Sequence, residues 1–462
     1  MDEAYEGQLF RRGEAGYEQA RRGAVWNARA PERFPEVIAI AHSEADVVRA
    51  VRGAIEMDMK IGVRSGGHSW AGNHVRDGGM LLDLSRLRAA SVDRGAMTAA
   101  VEPGCRGDEL LAALGGEDLF FPAGHCVGVA LGGYLLQGGY GWNGRVHGPA
   151  CMSVEAIDVV TAGGELVRAD RGQNAELLWA ARGAGPGFFG VVTRFHLRLQ
   201  RGPRVVANGV YLYPADMLEE VFRWAHAIGP QIPRTMELML IVHRTDGGEL
   251  EIAVTGPVLE RDEQHARDAL ALLESCPVLE RAKVAQPYVA VELADLYAGV
   301  HAAYPDEHRY SADNMWTHAP IEELLPGLRR IAETMPGAPS HMLWMNWGPG
   351  ASPAPERPDM AYSVEDDTYI ALYGVWQDPA EDDANVAWVT DRMREMEQLA
   401  SGIQLADENL GQRPARFISD EHMRRLDELR AAHDPHERFH PWMGRPAPTS
   451  PAPPTPPAAP TR

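Results

Sequence analysis

Arg64-Ser65-Gly66-Gly67-His68-Ser69-Trp70-Ala71-Gly72 follows Ile61-Gly62-Val63, an apolar run that reads as the end of a strand. A strand that opens directly into two glycines turns tightly and brings its backbone close to whatever it faces. Successive N–H groups then converge as a nest for an anion, such as a pyrophosphate, without needing many lysines. The candidate binding positions are Ser65, Gly66, Gly67 and Ser69, with His68 at the centre of the loop. A glycine turn alone is most often only a turn, so its significance depends on the rest of the chain.

A second glycine-rich stretch supplies what the first lacks. Gly124-His125-Cys126-Val127-Gly128-Val129-Ala130-Leu131-Gly132-Gly133 is followed by Gly138-Gly139-Tyr140-Gly141-Trp142. Around both loops the pattern is α+β. A strand is expected over 35–41, then a helix capped by Ser43 with Asp46 three residues on. Val47, Val48, Val51 and Ile55 follow at helical spacing. Strands are expected at 81–84, 156–161 and 166–169, the last two joined at Gly163-Gly164. A helix over 175–182 and a strand over 190–199 close this half. Gly185-Pro186-Gly187-Phe188-Phe189-Gly190 fits G-x-G-x-x-G but follows a helix, opens a strand and loses a donor at Pro186. That is the wrong context for a nicotinamide-dinucleotide fingerprint.

Beyond residue 205 the texture changes. Strands over 236–243 and 250–255 flank Asp246-Gly247-Gly248, and others are expected over 342–347 and 369–375. Helices are expected over 261–275, 321–333, 384–400 and 420–432. This order suggests one antiparallel sheet with helices on one face. Strand parity sends Ile370 and Leu372 toward the helices and Tyr369 and Tyr373 the other way. By the same rule Met236, Leu238, Leu240 and Val242 form the core face, and Glu237, Met239 and Ile241 face outward from it.

The chain has 462 residues and a formal net charge of -21. That balance argues against nucleic acid or an anionic membrane as a partner. There is no long apolar run and no basic-then-apolar start, so neither a membrane span nor a secretory signal is expected. Four cysteines, Cys105, Cys126, Cys151 and Cys276, form no C-x-x-C pair and suit a reducing, cytoplasmic setting. His433, His436 and His440 lack a carboxylate set, so they read as solvent-exposed and no metal is expected. Trp70 has equal claims as a pocket or a packing residue. Trp344, Trp347 and Trp376 read as core or as stacking platforms. The Pro/Ala-rich tail over 446–462 is expected to be disordered.

The two loops together resemble those of the berberine bridge enzyme-like oxidases, in the vanillyl-alcohol oxidase superfamily with its PCMH-type FAD domain. Leu178-Trp179-Ala180-Ala181-Arg182-Gly183 and Phe189-Gly190-Val191-Val192-Thr193 extend the likeness, which covers about residues 25–442. It implies an α+β fold: a lead-in over 1–29, an FAD domain of two α+β lobes over 30–202, and a substrate domain over 203–410. A segment over 411–445 returns to the FAD domain. The resemblance also implies FAD bonded through its 8α-methyl group to His68 and through C6 to Cys126. Further cofactor contacts map to Arg64, Gly72, Val129, Gly132, Gly133, Gly139, Tyr140, Gly141, Val154, Gly190 and Val192.

The activity implied is hydride transfer from an alcohol-bearing small molecule to the flavin. Molecular oxygen then takes the electrons and hydrogen peroxide forms. Valine at position 129 goes, in the family, with ready access of oxygen. An oligosaccharide and a secondary metabolite are both open as substrates. A dehydrogenase with another acceptor, amine oxidation or oxidative ring closure, and a non-catalytic flavin protein remain alternatives. The family's usual Tyr-x-Asn is missing, because 402–407 holds no tyrosine, and its later Asn-Tyr is replaced by His422-Met423. Tyr373, then Glu237, are the expected bases, the tyrosine requiring a depressed pKa.

Overall fold

The structure is a computed structural model that describes residues 5–115, 119–126, 128–348, 350–351 and 354–445. The tail expected to be disordered lies outside the described residues. The first sheet runs Gln8–Arg11, Val37–Ile40, Met80–Asp83, Ile61–Arg64, its last three strands parallel. The helix Glu44–Glu56 makes the crossover that parallel strands require. Ser43 Oγ caps it by accepting the Asp46 N–H at 3.2 Å. A second, antiparallel sheet runs Ala90–Asp93, Thr98–Val101, Gly190–Arg198, Val154–Thr161, Leu166–Ala169. Val47, Ala50, Val51 and Ala54 of the crossover helix join one buried cluster with residues of both sheets.

The third sheet has eight strands, antiparallel throughout. Its path is Val258–Glu260, Val205–Pro214, Leu250–Thr255, Met239–Arg244, His341–Asn346, Thr368–Trp376, Arg309–Thr317. Val284–Ala290 pairs with Val205–Pro214 off that path. Leu240, Val242, Met342, Trp344, Ile370 and Leu372 pack on one face with the helices Leu218–Ile228, Ile321–Thr334 and Asp382–Glu395. Tyr369, Ala371, Tyr373 and Val375 occupy the other face with Tyr310 and Trp316. The fold is therefore the α+β architecture expected, with an antiparallel sheet covered by helices on one side.

Two features escaped the sequence patterns. The lead-in forms the strand Gln8–Arg11 and the helix Tyr17–Gly23. The strand Arg309–Thr317 carries Asp313 and Asn314 at its centre, which breaks the apolar alternation. Both are buried because they have partners from the chain near residue 410. Arg413 Nε donates to Asp313 Oδ2 at 2.9 Å, and Asn314 bonds the backbone of Gln404 and Asp407. A buried ion pair is weak evidence for stability, but losing one partner leaves an uncompensated charge. Further on, Ile61 N–H donates to the Arg438 carbonyl at 2.7 Å and Ile61 pairs with Phe439, which brings the end of the chain back to the first sheet. No helix among the described residues is long and apolar enough to cross a membrane.

Candidate active site

A cavity of about 1470 Å³ lies between the two glycine loops and the open face of the eight-stranded sheet. A drug-sized ligand fills a pocket of roughly 300–1,000 Å³, so this one has room for a dinucleotide and a substrate together. Arg64, Ser65, Gly66, Gly67, His68 and Ser69 line it from the first loop. Cys126, Val129, Gly132, Gly133 and Tyr140 line it from the second, with Gly190 and Val192 beyond.

The loops touch. A Cβ on Gly128 would lie 3.3 Å from His68 Nε2, and one on Gly66 would meet the Ala130 methyl at 2.7 Å. Gly67 takes φ +79°, the left-handed region that glycine enters freely. Its carbonyl accepts the Trp26 N–H at 3.0 Å, and the Trp26 ring stacks on the His68 imidazole at 4.8 Å between centroids. Burial first, then the Arg64 guanidinium, lower the His68 pKa to about 4, so the ring is neutral at physiological pH. Arg64 is itself anchored, bonding both Asp83 carboxylate oxygens at 2.8 and 2.9 Å. Burial first, then the Asp407 charge, push the Cys126 thiol up to about 12.

Five expected site residues lie elsewhere. Gly72 packs against Pro31, and its carbonyl accepts from Arg33 at 2.9 Å. Gly139 turns at φ +83° against the Tyr134 ring. Val154 begins a strand of the second sheet and gives its carbonyl to Arg182 Nε at 2.9 Å. Gly141 pairs with Gly124, and a Cβ on Gly141 would run into the Ala123 carbonyl. These four shape the loops and do not line the cavity. Gly141→Ala should therefore cost about 1–3 kcal/mol by overpacking, read as a lowered Tm. An unchanged Tm would mean that this loop contact is not needed.

Glu237 is the fifth. Expected as the second candidate base, it keeps the predicted parity, since Met236 and Leu238 join the helix-covered core while Met239 and Ile241 line the cavity, but its own side chain lies beyond the cavity wall. It is 1% exposed. Its Oε1 accepts the Asn143 N–H at 2.7 Å and its Oε2 lies 3.2 Å from His125 Nε2. It supports the Cys126 loop from behind.

Tyr373 does face the cavity, but not as a depressed hydroxyl. Burial first, then the Asp407 charge, raise its pKa well above the ordinary tyrosine value, and Tyr369 is raised for the same reasons. Both hydroxyls donate to Asp407 Oδ2, that of Tyr373 at 2.9 Å. Trp70 Nε1 donates to Asp407 Oδ1 at 2.7 Å. Asp407 is thus the residue that the sequence reading passed over. It ends the short turn Leu405–Asp407, and Asn314 Nδ2 holds its carbonyl at 2.9 Å. Nothing local marks it; the signal was three aromatic donors from remote segments.

The remaining aromatic residues sort cleanly. Trp70 and Trp347 line the cavity, Trp344 lies in the helix-covered core, and Trp376 donates to Asp382 Oδ1 at 2.8 Å. His440, expected in solvent, also lines the cavity. The buried polar atoms His440 Nε2, Asn73 Oδ1 and Trp142 Nε1 in the wall have no hydrogen-bond partner among the described residues. A buried polar atom left alone is costly. These atoms, together with Gly133, whose Cβ would meet nothing within 4 Å, fit a long polar cofactor.

Residues 35–170 match the family described as FAD binding domain. The chain is 31% identical over 445 residues to FAD-linked oxidoreductase nodO of Hypoxylon pulicicidum, covering 92% of this chain and 94% of that one. It is 27% identical over 412 residues to aclacinomycin-N/aclacinomycin-A oxidase of Streptomyces galilaeus, covering 81% and 74%. Among solved structures, BBE-like 1 of Physcomitrella patens superposes with a TM-score of 0.82 at 20% identity, covering 96% of this chain and 97% of that one.

Proposed function

This chain belongs to the FAD-linked oxidoreductases and shares its fold with a berberine bridge enzyme-like protein, and from that premise we propose that it oxidises an alcohol-bearing small molecule, using Asp407 as the base and molecular oxygen as the final acceptor. The observation that carries this is the Asp407 carboxylate in the cavity wall beside Cys126, held by Trp70, Tyr369 and Tyr373. Oxidising an alcohol requires a proton to leave oxygen as a hydride leaves carbon. FAD, when bound, supplies the hydride acceptor. The protein must place a proton acceptor beside it, and geometry comes first in naming that group.

In this reading His68 and Cys126 bond the flavin, which fits their adjacent loops and the stack of Trp26 on His68. Ser65, Gly66, Gly67, Gly132, Gly133 and Gly190 leave the cofactor's polar groups close to backbone. Tyr369 and Tyr373, both neutral, keep their hydrogens and orient the carboxylate. Met239, Ile241, Leu296, Val300, Leu343 and Met345 line the cavity together with Asn208, His243, Asp295 and His301. The apolar share suits a carbon-rich skeleton and the polar groups its hydroxyls, as in a secondary metabolite, with an oligosaccharide as the second arm of the test.

The test is peroxide release and flavin bleaching by the purified yellow protein against terpenoid, benzylic and polyketide alcohols beside xylo- and cello-oligosaccharides. Carbon-rich alcohols should bleach it and raise peroxide. Bleaching without oxygen consumption would favour a dehydrogenase. After acid precipitation the pellet should stay yellow, and His68→Ala should leave a single link. Peptides around His68 and Cys126 of unmodified mass would remove the covalent part of the proposal.

A further inference from the structure

Asp407 is half-buried, and a substrate filling the cavity closes it off from water. A base so enclosed needs a way to lose the proton it gains. The structure offers one line of hydrogen-bonding groups leading away from it. Tyr373 donates to Asp407 at 2.9 Å. The Tyr304 ring packs edge-on against Tyr373 at 5.2 Å between centroids. Tyr304 Oη then lies 3.1 Å from His341 Nε2.

We propose that Tyr373, Tyr304 and His341 form a proton relay that carries the substrate-derived proton from Asp407 toward the open end of the cavity. This rests on the reading of Asp407 as the base. The sheet register supports it. Tyr373 is opposite His341 on one side, and His341 is opposite His243 on the other, so the three share a row on the cavity face. His243 lines the cavity where it reaches the exposed Asp246.

The polarity of the line is also set. His341 Nδ1 lies 3.0 Å from the Pro339 carbonyl, which can only accept. Nδ1 therefore carries the hydrogen, and Nε2 presents a lone pair to the Tyr304 hydroxyl. A histidine whose two nitrogens are both satisfied could be purely structural. Here it sits in the cavity wall, two tyrosines from the base.

The step balances. The substrate O–H breaks and its proton joins the Asp407 carboxylate, while the C–H pair leaves as hydride to the flavin and C=O forms. Once protonated on Oδ2, Asp407 no longer accepts from Tyr373, whose O–H turns toward Tyr304. The Asp407 proton then passes to Tyr373 Oη as the Tyr373 proton passes to Tyr304 and the Tyr304 proton to His341 Nε2. Each hydroxyl ends with one hydrogen, the carboxylate is restored, and the imidazolium releases a proton to water near His243. The groups facing His341 are Tyr304, Tyr373 and His243. Burial, and to a lesser extent His243, hold its pKa down at about 4, so the imidazolium does not persist.

The relay is tested by anaerobic stopped-flow reduction of the holoenzyme, using whichever panel alcohol bleaches it fastest. Tyr304→Phe and His341→Gln should each slow reduction about tenfold near pH 6.5, a fraction of what general acid–base catalysis supplies. Substrate Kd and flavin content should hold, and the solvent deuterium isotope effect should exceed the wild type's. A merely structural role would move Kd or Tm and leave that isotope effect alone. Wild-type rates and isotope effects in both variants, with Asp407→Asn still inactive, would overturn the relay and leave the base standing. A wild-type rate in Asp407→Asn would overturn the base and the relay with it. Without any substrate, the ¹⁵N-histidine spectrum of wild type minus His341→Gln should show hydrogen on Nδ1 and none on Nε2; the opposite tautomer would also overturn the proposal.

Discussion

Asp407→Asn is expected to slow flavin reduction by substrate at least about 100-fold, since a positioned base contributes roughly 10²–10⁴ to such a step. Asparagine keeps the volume of the side chain and cannot take up a proton. It also cannot accept from all three of its neighbours, because one of its two ends is an NH₂. Trp70, Tyr369 and Tyr373 donate to both oxygens of the present carboxylate, so one of these bonds must be lost or turned. The loss of rate must therefore be separated from displacement of the aromatic groups. Flavin content and the visible spectrum should stay close to wild type, and substrate should still perturb that spectrum on binding. Tyr373→Phe removes one donor and keeps the base, so it should slow reduction far less than Asp407→Asn. If Asp407→Asn reduces within about threefold of wild type, another group takes the proton and the proposed chemistry must be redrawn.

How far the sequence reveals this site depends on the range of each contact. The strand Ile61–Arg64 and the cap at Ser43 follow from residues a few positions apart, and both form as expected. Parity over Thr368–Trp376 correctly separates Tyr369 and Tyr373 from Ile370 and Leu372, because a paired strand has a period of two. It also sets Glu237 opposite the core residues Met236 and Leu238, but parity does not say how far the cavity extends, and the Glu237 carboxylate meets Asn143 and His125 instead. Asp407 is a different case. Its partners Trp70, Tyr369 and Tyr373 come from three places along the chain, and no local pattern joins them. The lead-in is similar. Trp26 stacks on His68 and on Tyr310 at 4.6 Å, and Asn27 bonds the carbonyls of Trp70 and Tyr310 at 2.9 Å each. Those contacts pin the first glycine loop to the sheet, yet in sequence they belong to an unremarkable polar run.

Acid should unfold this protein from about pH 6 downward, before most carboxylates are protonated. His74 and His341 are both buried, and burial lowers each pKa from 6.5 to about 4. His74 Nε2 lies 2.9 Å from the Ala24 carbonyl and His341 is bonded at both nitrogens, so burial disfavours the charged form of each ring in the folded protein. Above pH 6.5 both are neutral whether folded or unfolded, and they contribute nothing to the pH dependence. Between 6.5 and 4 the unfolded chain takes up a proton at each site and the folded one does not. The unfolded state binds more protons, so stability falls as pH falls. By pH 4 the loss reaches about 3 kcal/mol per histidine, together a large part of the roughly 5–15 kcal/mol that holds a domain folded. Urea unfolding at steps from pH 7 to 4.5 measures this directly. His74→Gln keeps a donor for the Ala24 carbonyl and has no charge to gain, so its stability should fall less steeply by nearly one proton over that interval. An identical slope in the variant and the wild type would mean that His74 is already solvated in the folded protein. The same enclosure that makes these rings costly to charge is what would let His341 pass a proton on without keeping it.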